Sequence, residues 1–237
     1  MSEIKVGQNR RDFLKAATLA GVTATLACSA GSNQKKLGEA RSSLYKTDPK
    51  ETVRVAYVGV GNQGTSHVRN LTKIEGAEIV AICDIVEDKV KRSQKICVDA
   101  GLPKPDGYFK DKNDFRRMCE RDDIDLVYTA TPWNLHVPVC VEAMKTGKHA
   151  ATEVPAAVTL EECWELVEVA EQTGKHMVQM ENCCYDRTEL LILNMVRNGL
   201  FGELLHARCG YLHDLRGLKL SQTAYEEMWR LAHSVTR

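Results

Sequence analysis

The run Val53–Val58 ends directly on Gly59-Val60-Gly61-Asn62-Gln63-Gly64, and no other stretch of the chain restricts its fold so sharply. A β-branched, mostly apolar hexapeptide suits a strand covered on both faces of a parallel sheet. A G-x-G-x-x-G turn carries meaning only between such a strand and a helix, and residues 65–73 supply the helical pattern. In that setting the first glycine permits the tight turn, the second lets the backbone approach a pyrophosphate, and the third lets the helix pack closely. The helix amino terminus adds partial positive charge, with Gly61, Asn62 and Gln63 beside the phosphates. A second strand, 78–83, ends at Asp84, 20 residues beyond Gly64. At that spacing a carboxylate can accept from the hydroxyls of an adenosine ribose. It would also repel a 2′-phosphate, so the expected cofactor is NAD rather than NADP. Read alone, Asp84 would be a solvated strand-end acid; after the glycine turn it becomes a ribose acceptor.

Helical patterns at 87–100, 113–121 and 136–145 alternate with strands at 125–130 and 149–152. Such alternation builds a parallel, right-handed, doubly wound sheet whose ligands sit beyond the carboxyl ends of the strands. The segments standing there are Trp133-Asn134-Leu135-His136, after the Thr131-Pro132 turn, and Glu153-Val154-Pro155. Trp133 and His136 either line the cofactor or close the loop by packing. Further on, Thr159-Leu160-Glu161-Glu162 is a capping box that opens a helix to Thr173, closed by Gly174. A helix over 189–198 carries Leu190, Leu191, Leu193 and Val196 on a face expected to meet the sheet. Alternation over 203–213 predicts the first strand of a second, antiparallel sheet. Only 35 residues follow Gly202, too few for an independent open sheet. The expected fold class is α/β: a doubly wound parallel Rossmann sheet followed by the start of an incomplete α+β substrate domain. Its divisions are 1–30 (signal), 31–50 (linker), 51–155 (NAD-binding Rossmann domain) and 156–237 (the beginning of a truncated C-terminal substrate domain). An exposed first strand there would be an edge for homo-oligomer formation.

Lys plus Arg and Asp plus Glu number 32 each, for a formal net charge of zero, which argues against a nucleic-acid partner. No stretch reaches the roughly 18 apolar residues of a membrane-spanning helix. The segment Asn9-Arg10-Arg11-Asp12-Phe13-Leu14-Lys15, with the small-residue run 16–27 behind it, is close to a twin-arginine export signal. The expected location is therefore the periplasm or cell envelope; a helical extension of the domain is the alternative. Leu26-Ala27-Cys28 resembles a lipoprotein cleavage site, which would make Cys28 a lipid anchor. The nine cysteines include no Cys-x-x-Cys pair and no zinc-ligand spacing, so no metal site is expected. The adjacent Cys183 and Cys184 are poorly placed for a mutual bridge and are read as packing.

The glycine turn, Asp84, Thr131-Pro132 and Glu153-Val154-Pro155 together resemble the Gfo/Idh/MocA oxidoreductases, whose third motif is Glu-Lys-Pro. The lysine that serves those dehydrogenases as acid/base group and substrate anchor is Val154 here. That exchange, with Glu181-Asn182-Cys183-Cys184-Tyr185 and Gly210-Tyr211-Leu212-His213-Asp214-Leu215-Arg216, is similar to the glycoside hydrolase family 109 branch, whose members are NAD-dependent α-N-acetylgalactosaminidases. The likeness runs from Val53 to Arg237. It implies NAD contacts from Asn62, Gln63, Asp84, Trp133, Asn134, Leu135, His136, Glu153, Val154 and Asn182, and contacts to a small glycoside substrate from Tyr211 and Arg230. A Tyr-Pro-Thr-His stretch of the branch would come after Arg237.

Ordinary glycosidases need two carboxylates at a defined separation, and no convincing pair stands in this sequence. The resemblance implies chemistry that does without one: transient oxidation at C3 of the sugar, elimination across C1 and C2, water addition, and re-reduction, with NAD recycled. Groups that move protons are still required. Tyr185 and His213 are the catalytic candidates, set against a buried phenol satisfying a carbonyl and an imidazole that merely packs. Two other readings stay open, an NAD-dependent sugar or polyol dehydrogenase that releases NADH and an NAD-binding chain without activity.

Overall fold

The computed structural model describes residues 47–210 and 212–221. The chain divides into two units, Met1–Asp48 and Pro49–Arg237, and the architecture below is that of the second. The twin-arginine segment, Cys28, Tyr211 and Arg230 lie outside the described residues.

Strands β1 (Val53–Val58), β2 (Ala77–Cys83), β3 (Asp106–Tyr108), β4 (Leu126–Thr129), β5 (His149–Thr152) and β6 (Met177–Gln179) form one sheet in the order β3-β2-β1-β4-β5-β6. Every pairing is parallel. The helices are α1 (Asn62–Leu71), α2 (Glu87–Asp99), α3 (Asp114–Cys119), α4 (His136–Lys145), α5 (Leu160–Thr173), α6 (Arg187–Arg197) and α7 (Arg216–Lys219), with a 3-10 turn at Trp133–Leu135. Side chains alternate across a strand, so Val55 and Tyr57 share one face of β1. There they meet Val60 and Val68 near and on α1, Val90 and Cys97 of α2, and Tyr128 and Ala151 of β4 and β5. On the other face α4 packs against α3 and α5. The doubly wound parallel sheet is the one the alternating pattern predicts, and its order reverses direction between β1 and β4.

Register decides what the sheet brings together. Val58 lies opposite Cys83 and Thr129, and Thr129 lies opposite Thr152. The residues that follow these strands, Gly59, Asp84, Ala130 and Glu153, therefore line a single carboxyl edge. At the opposite edge Asp125 ties β4 to β1. Its Oδ2 accepts from the Arg54 backbone N–H at 2.9 Å and from Nε at 3.0 Å, while Oδ1 accepts from Arg54 Nη2 at 2.8 Å and Lys50 Nζ at 2.6 Å. These bonds, the Arg54 side chain foremost, outweigh burial and hold the Asp125 carboxyl well below the usual carboxylate range. A folded-state value below the unfolded one adds stability that is complete above the ordinary carboxylate pKa and disappears as pH falls through the depressed one. Asp125→Asn is therefore expected to lower Tm at pH 7 by roughly 5 °C and to flatten the acid limb of Tm against pH. Calorimetric scans down to about pH 3 check this; parallel acid limbs in the two proteins would assign the acid sensitivity elsewhere.

The α5 boundaries follow the local code. The Thr159 side chain accepts from the Glu162 N–H, Glu162 Oε2 accepts from the Thr159 N–H, and Gly174 ends the helix at φ +65°. The parallel sheet then runs past residue 155 through α5 to β6, because Val178 pairs with Ala151.

Beyond β6 the structure departs from expectation. None of the residues of α6 is buried, and Leu190, Leu191, Leu193 and Val196 are exposed rather than laid on the sheet. An amphipathic pattern states that a face needs cover; it does not name the cover, and no described residue supplies it. Residues 203–210, 212 and 213 form no strand. A strand needs a neighbouring strand to satisfy its backbone, and among the described residues none pairs with this segment. The expected antiparallel sheet and its association edge are accordingly absent among the described residues. Cys183 and Cys184 are exposed, which corrects their reading as packing, whereas Cys83, Cys97, Cys119 and Cys140 are buried. Burial pushes the Cys97 thiol up to about 11 and those of Cys119 and Cys140 to about 12, so these are inert apolar filler. No helix among the described residues is long and apolar enough to cross a membrane.

Candidate functional site

The glycines divide the work of the turn. Gly59 has φ +84°, and a Cβ added to it would sit 2.8 Å from the backbone of Ala130. A Cβ on Gly64 would lie 2.0 Å from the Gly59 carbonyl oxygen, so α1 approaches the turn more closely than any side chain allows. At Gly61 an added Cβ would meet nothing within 4 Å. Among the described residues no neighbour crowds the middle glycine, and its open face fits a pyrophosphate laid against the backbone. Gly61 is also the N-cap of α1. Among the described residues no side chain caps the helix and no acid stands in its first turn, so its partial positive charge is available to an anion. Asn62 and Gln63 are exposed at this end.

Asp84 does more than wait for a ribose. Its Oδ2 accepts from the Val60 N–H at 2.8 Å and its Oδ1 from the Val86 N–H at 3.0 Å, so one carboxylate joins the glycine turn to the start of α2. An ionised carboxylate offers about four acceptor positions, which leaves about two for the ribose diol. The Val60 carbonyl is held as well, accepting from Thr65 Oγ1 at 2.8 Å and from Arg92 Nη2 at 3.0 Å. Both backbone polar groups of Val60 are thus held by side chains, from α1, α2 and the residue that follows β2. The turn is rigid before any ligand arrives.

At the far side of the carboxyl edge stands Glu153, half-buried. Its Oε1 lies 2.5 Å from His67 Nε2 on α1 and accepts from the Tyr128 hydroxyl of β4 at 3.3 Å; that hydroxyl is also 3.3 Å from His67 Nε2. The His67 and Tyr128 rings pack with centroids 4.9 Å apart. Burial alone would push the Glu153 carboxyl up. The bond to His67, its proximity, the Val154 N–H and the Tyr128 hydroxyl together prevail and hold it below the usual range. Burial and the neighbouring Glu153 push the Tyr128 phenol up, so it stays a donor.

His136 is 1% exposed, and its ring spans the two loops of this edge. Its Nδ1 is 2.7 Å from the Pro155 carbonyl oxygen and its Nε2 is 2.9 Å from that of Thr131. The imidazole is a strut between the segments that follow β4 and β5, the packing alternative of the sequence reading. Trp133 and Leu135 are half-buried and Asn134 exposed on the 3-10 turn beside it. Val154 and Pro155, joined by a cis peptide, are half-buried. Asn182 is exposed, Tyr185 is 83% exposed at the entry to α6, and His213 is exposed ahead of α7, outside any helix or strand. The structure thus gathers Gly61, Asn62, Gln63, Asp84, Trp133, Asn134, Leu135, His136, Glu153 and Val154 along one edge, while Tyr185 and His213 stand outside its buried part. Among the described residues no group of three or more His, Cys, Asp or Glu is arranged to hold a metal.

Sequence reading missed His67, Tyr128 and Arg92. His67 is 86 positions from Glu153 and Arg92 is 32 from Val60, so no local spacing couples either to its partner. Tyr128 sits in a strand where an aromatic passes for core. The one available signal was a histidine three residues after Gly64, on a helix whose amino terminus was already assigned to phosphate.

Comparison with known proteins agrees with this geometry. Residues 53–181 match the family described as an oxidoreductase family with an NAD-binding Rossmann fold, Gfo/Idh/MocA, and residues 185–237 match the glycosyl hydrolase 109 C-terminal domain. The chain is similar to a glycosyl hydrolase family 109 protein of Solibacter usitatus, 46% identical over 227 residues, which covers 95% of this chain and 50% of that one. It is also 46% identical over 190 residues to a Bacteroides fragilis protein named alpha-N-acetylgalactosaminidase, covering 79% of this chain and 44% of that one. The chain spans about half the length of the curated relatives it matches. Among solved structures, the WlbA dehydrogenase of Chromobacterium violaceum, in complex with NADH and UDP-GlcNAcA, superposes with a TM-score of 0.56 at 26% identity over 65% of this chain and 42% of that one. The scyllo-inositol dehydrogenase of Lactobacillus casei, at 24% identity, a TM-score of 0.56, and 64% and 43% coverage, shares the fold. Because the matched stretch takes in all six strands and more than half of the sequence, the chain belongs to the Gfo/Idh/MocA oxidoreductase family, with an NAD-binding Rossmann fold followed by residues of the glycosyl hydrolase 109 C-terminal domain.

Proposed function

We propose that this chain supplies the nucleotide-binding machinery of an NAD-dependent glycosidase acting on α-N-acetylgalactosaminides. One observation carries the reading: a complete dinucleotide turn shares its edge with Val154, an apolar residue where the dehydrogenase motif has its acid/base lysine. Identity of 46% to a protein named alpha-N-acetylgalactosaminidase supports it. In this reading the open face of Gly61 and the α1 amino terminus take the pyrophosphate. The spare acceptor positions of Asp84 take the adenosine ribose, and Glu153 stands at the nicotinamide end. When bound, the cofactor would supply a reversible hydride exchange at C3 of the sugar, which would allow the C2 proton and the C1 aglycone to leave by elimination, water to add at C1, and the hydride to return to C3. Tyr211 and Arg230 would hold the sugar, and Tyr185 and His213 remain the candidates for moving its protons. The exposure of Tyr185 favours one second reading, a chain that binds NAD without turnover. The twin-arginine segment adds the proposal that the protein works outside the cytoplasm; fusion of residues 1–50 to a reporter active only after export tests it.

The chain, incubated with NAD⁺ and an aryl α-N-acetylgalactosaminide, is expected to release the aglycone with no net rise in NADH absorbance. A stoichiometric rise with free sugar would instead make it a dehydrogenase. NAD⁺ binding with neither outcome would establish the second reading.

A further inference from the structure

Glu153 uses its two carboxylate oxygens unequally. Oε1 is claimed twice, by His67 Nε2 at 2.5 Å and by the Tyr128 hydroxyl at 3.3 Å. Among the described residues Oε2 accepts only from the adjoining Val154 N–H, at 3.3 Å. The Glu153 side chain is 13% exposed and the His67 side chain 24%, so the pair is sheltered but not sealed from solvent. A carboxylate removed this far from water is retained only with partners for its charge. Three separate elements supply them: α1, β4 and the Val154 backbone after β5.

The position of the pair along the edge matters equally. The strand order places Asp84, after β2, on one side of the glycine turn, and Glu153, after β5, on the other. A dinucleotide whose adenosine ribose meets Asp84 and whose pyrophosphate crosses Gly61 runs toward β4 and β5 with its nicotinamide. The carboxamide of that ring carries two N–H donors. Oε2 of Glu153 is the under-used acceptor at that end.

We propose that His67 is a positioning residue for the cofactor: by holding Oε1 of Glu153, it turns Oε2 outward to accept an N–H from the nicotinamide carboxamide. This rests on the NAD reading and deepens it. His67 sits on the helix whose amino terminus faces the pyrophosphate, so the same α1 that anchors the centre of the cofactor also sets the carboxylate at its reactive end. Tyr128 fixes the rotation of the carboxyl group from a third direction. Val154 leaves the carboxylate without the lysine neighbour that the dehydrogenase motif would give it, and the side chain that meets it here is His67.

The test compares two ligands of the full chain by titration calorimetry: NAD⁺, and ADP-ribose, which shares everything except the nicotinamide. His67→Ala is expected to weaken NAD⁺ roughly tenfold and ADP-ribose by less than about twofold. Retained ADP-ribose binding also shows that the variant is folded. His67→Gln, whose side-chain amide can donate near the Nε2 position, is expected to recover NAD⁺ affinity to within about threefold of the original. Glu153→Gln should reproduce the selective loss, and the double variant His67→Ala/Glu153→Gln should lose no more than either single one. Equal weakening of both ligands would make His67 a mere cross-link between α1 and the β5 loop, and unchanged NAD⁺ affinity would remove it from the site; either result overturns the proposal. If the unaltered chain binds neither ligand, the NAD reading itself falls, a result distinct from both.

Discussion

Gly64→Ala is expected to leave the chain unfolded or nearly so, while Gly61→Ala, three positions earlier, folds normally and fails to bind NAD⁺. At Gly64 the new methyl would stand 2.0 Å from the Gly59 carbonyl oxygen, which is backbone and cannot rotate away. Relief requires α1 to lift from the turn, drawing its own Val68 out of the core cluster that Val60 also joins. Overpacking of this kind costs more than about 3 kcal/mol, a large share of the roughly 5–15 kcal/mol that holds a domain folded. At Gly61 nothing lies within 4 Å of the added methyl, and φ is negative, at −67°. Tm should stay within about 2 °C. The methyl would occupy the space left for the pyrophosphate, so NAD⁺ affinity should fall at least about 30-fold. Thermal melts and calorimetric titration of the two variants separate these effects. Normal NAD⁺ binding by Gly61→Ala would mean that the pyrophosphate does not lie against this turn.

Asp84→Ala should damage stability and affinity together. Without the carboxylate, the Val60 and Val86 N–H groups lose their acceptor, and part-buried donors left unpaired cost about 2 kcal/mol in sum. The ribose loses its acceptor as well, and the turn loses the brace that keeps it shaped for the pyrophosphate. NAD⁺ affinity is expected to fall about 100-fold. Discrimination against NADP⁺ should fall too, since the charge that repels a 2′-phosphate is gone and the Arg92 guanidinium remains on the Val60 carbonyl. Asp84→Asn keeps one acceptor oxygen and should lie between. Competition of NAD⁺ with NADP⁺ on each variant is the measurement; an unchanged ratio would show that Asp84 serves the turn and not the ribose.

The parts that local chemistry dictates were legible beforehand. β1, α4 and β5 fall at the residues that periodicity marks, and α5 begins and ends on the capping box and glycine read from its sequence. Asp84 could be named because a fixed helical crossover sets its spacing from the glycine turn. Its second task, bracing Val60 and Val86, could not, because backbone donors have no sequence signature. The exposed α6 and the absence of a strand at residues 203–210, 212 and 213 mark the same boundary from the other direction. Periodicity records what a segment could do with a partner, and the partner is a property of the whole structure.

Sequence by itself settled the parallel doubly wound architecture and the dinucleotide turn, because strand alternation, glycine spacing and helix caps act over a few residues. Only the tertiary structure decided that His67, Tyr128 and Glu153 meet, that His136 is a buried strut, and that Arg92 secures the turn. Each of those contacts joins groups on different elements, brought within reach by sheet order and register rather than by their distance along the chain.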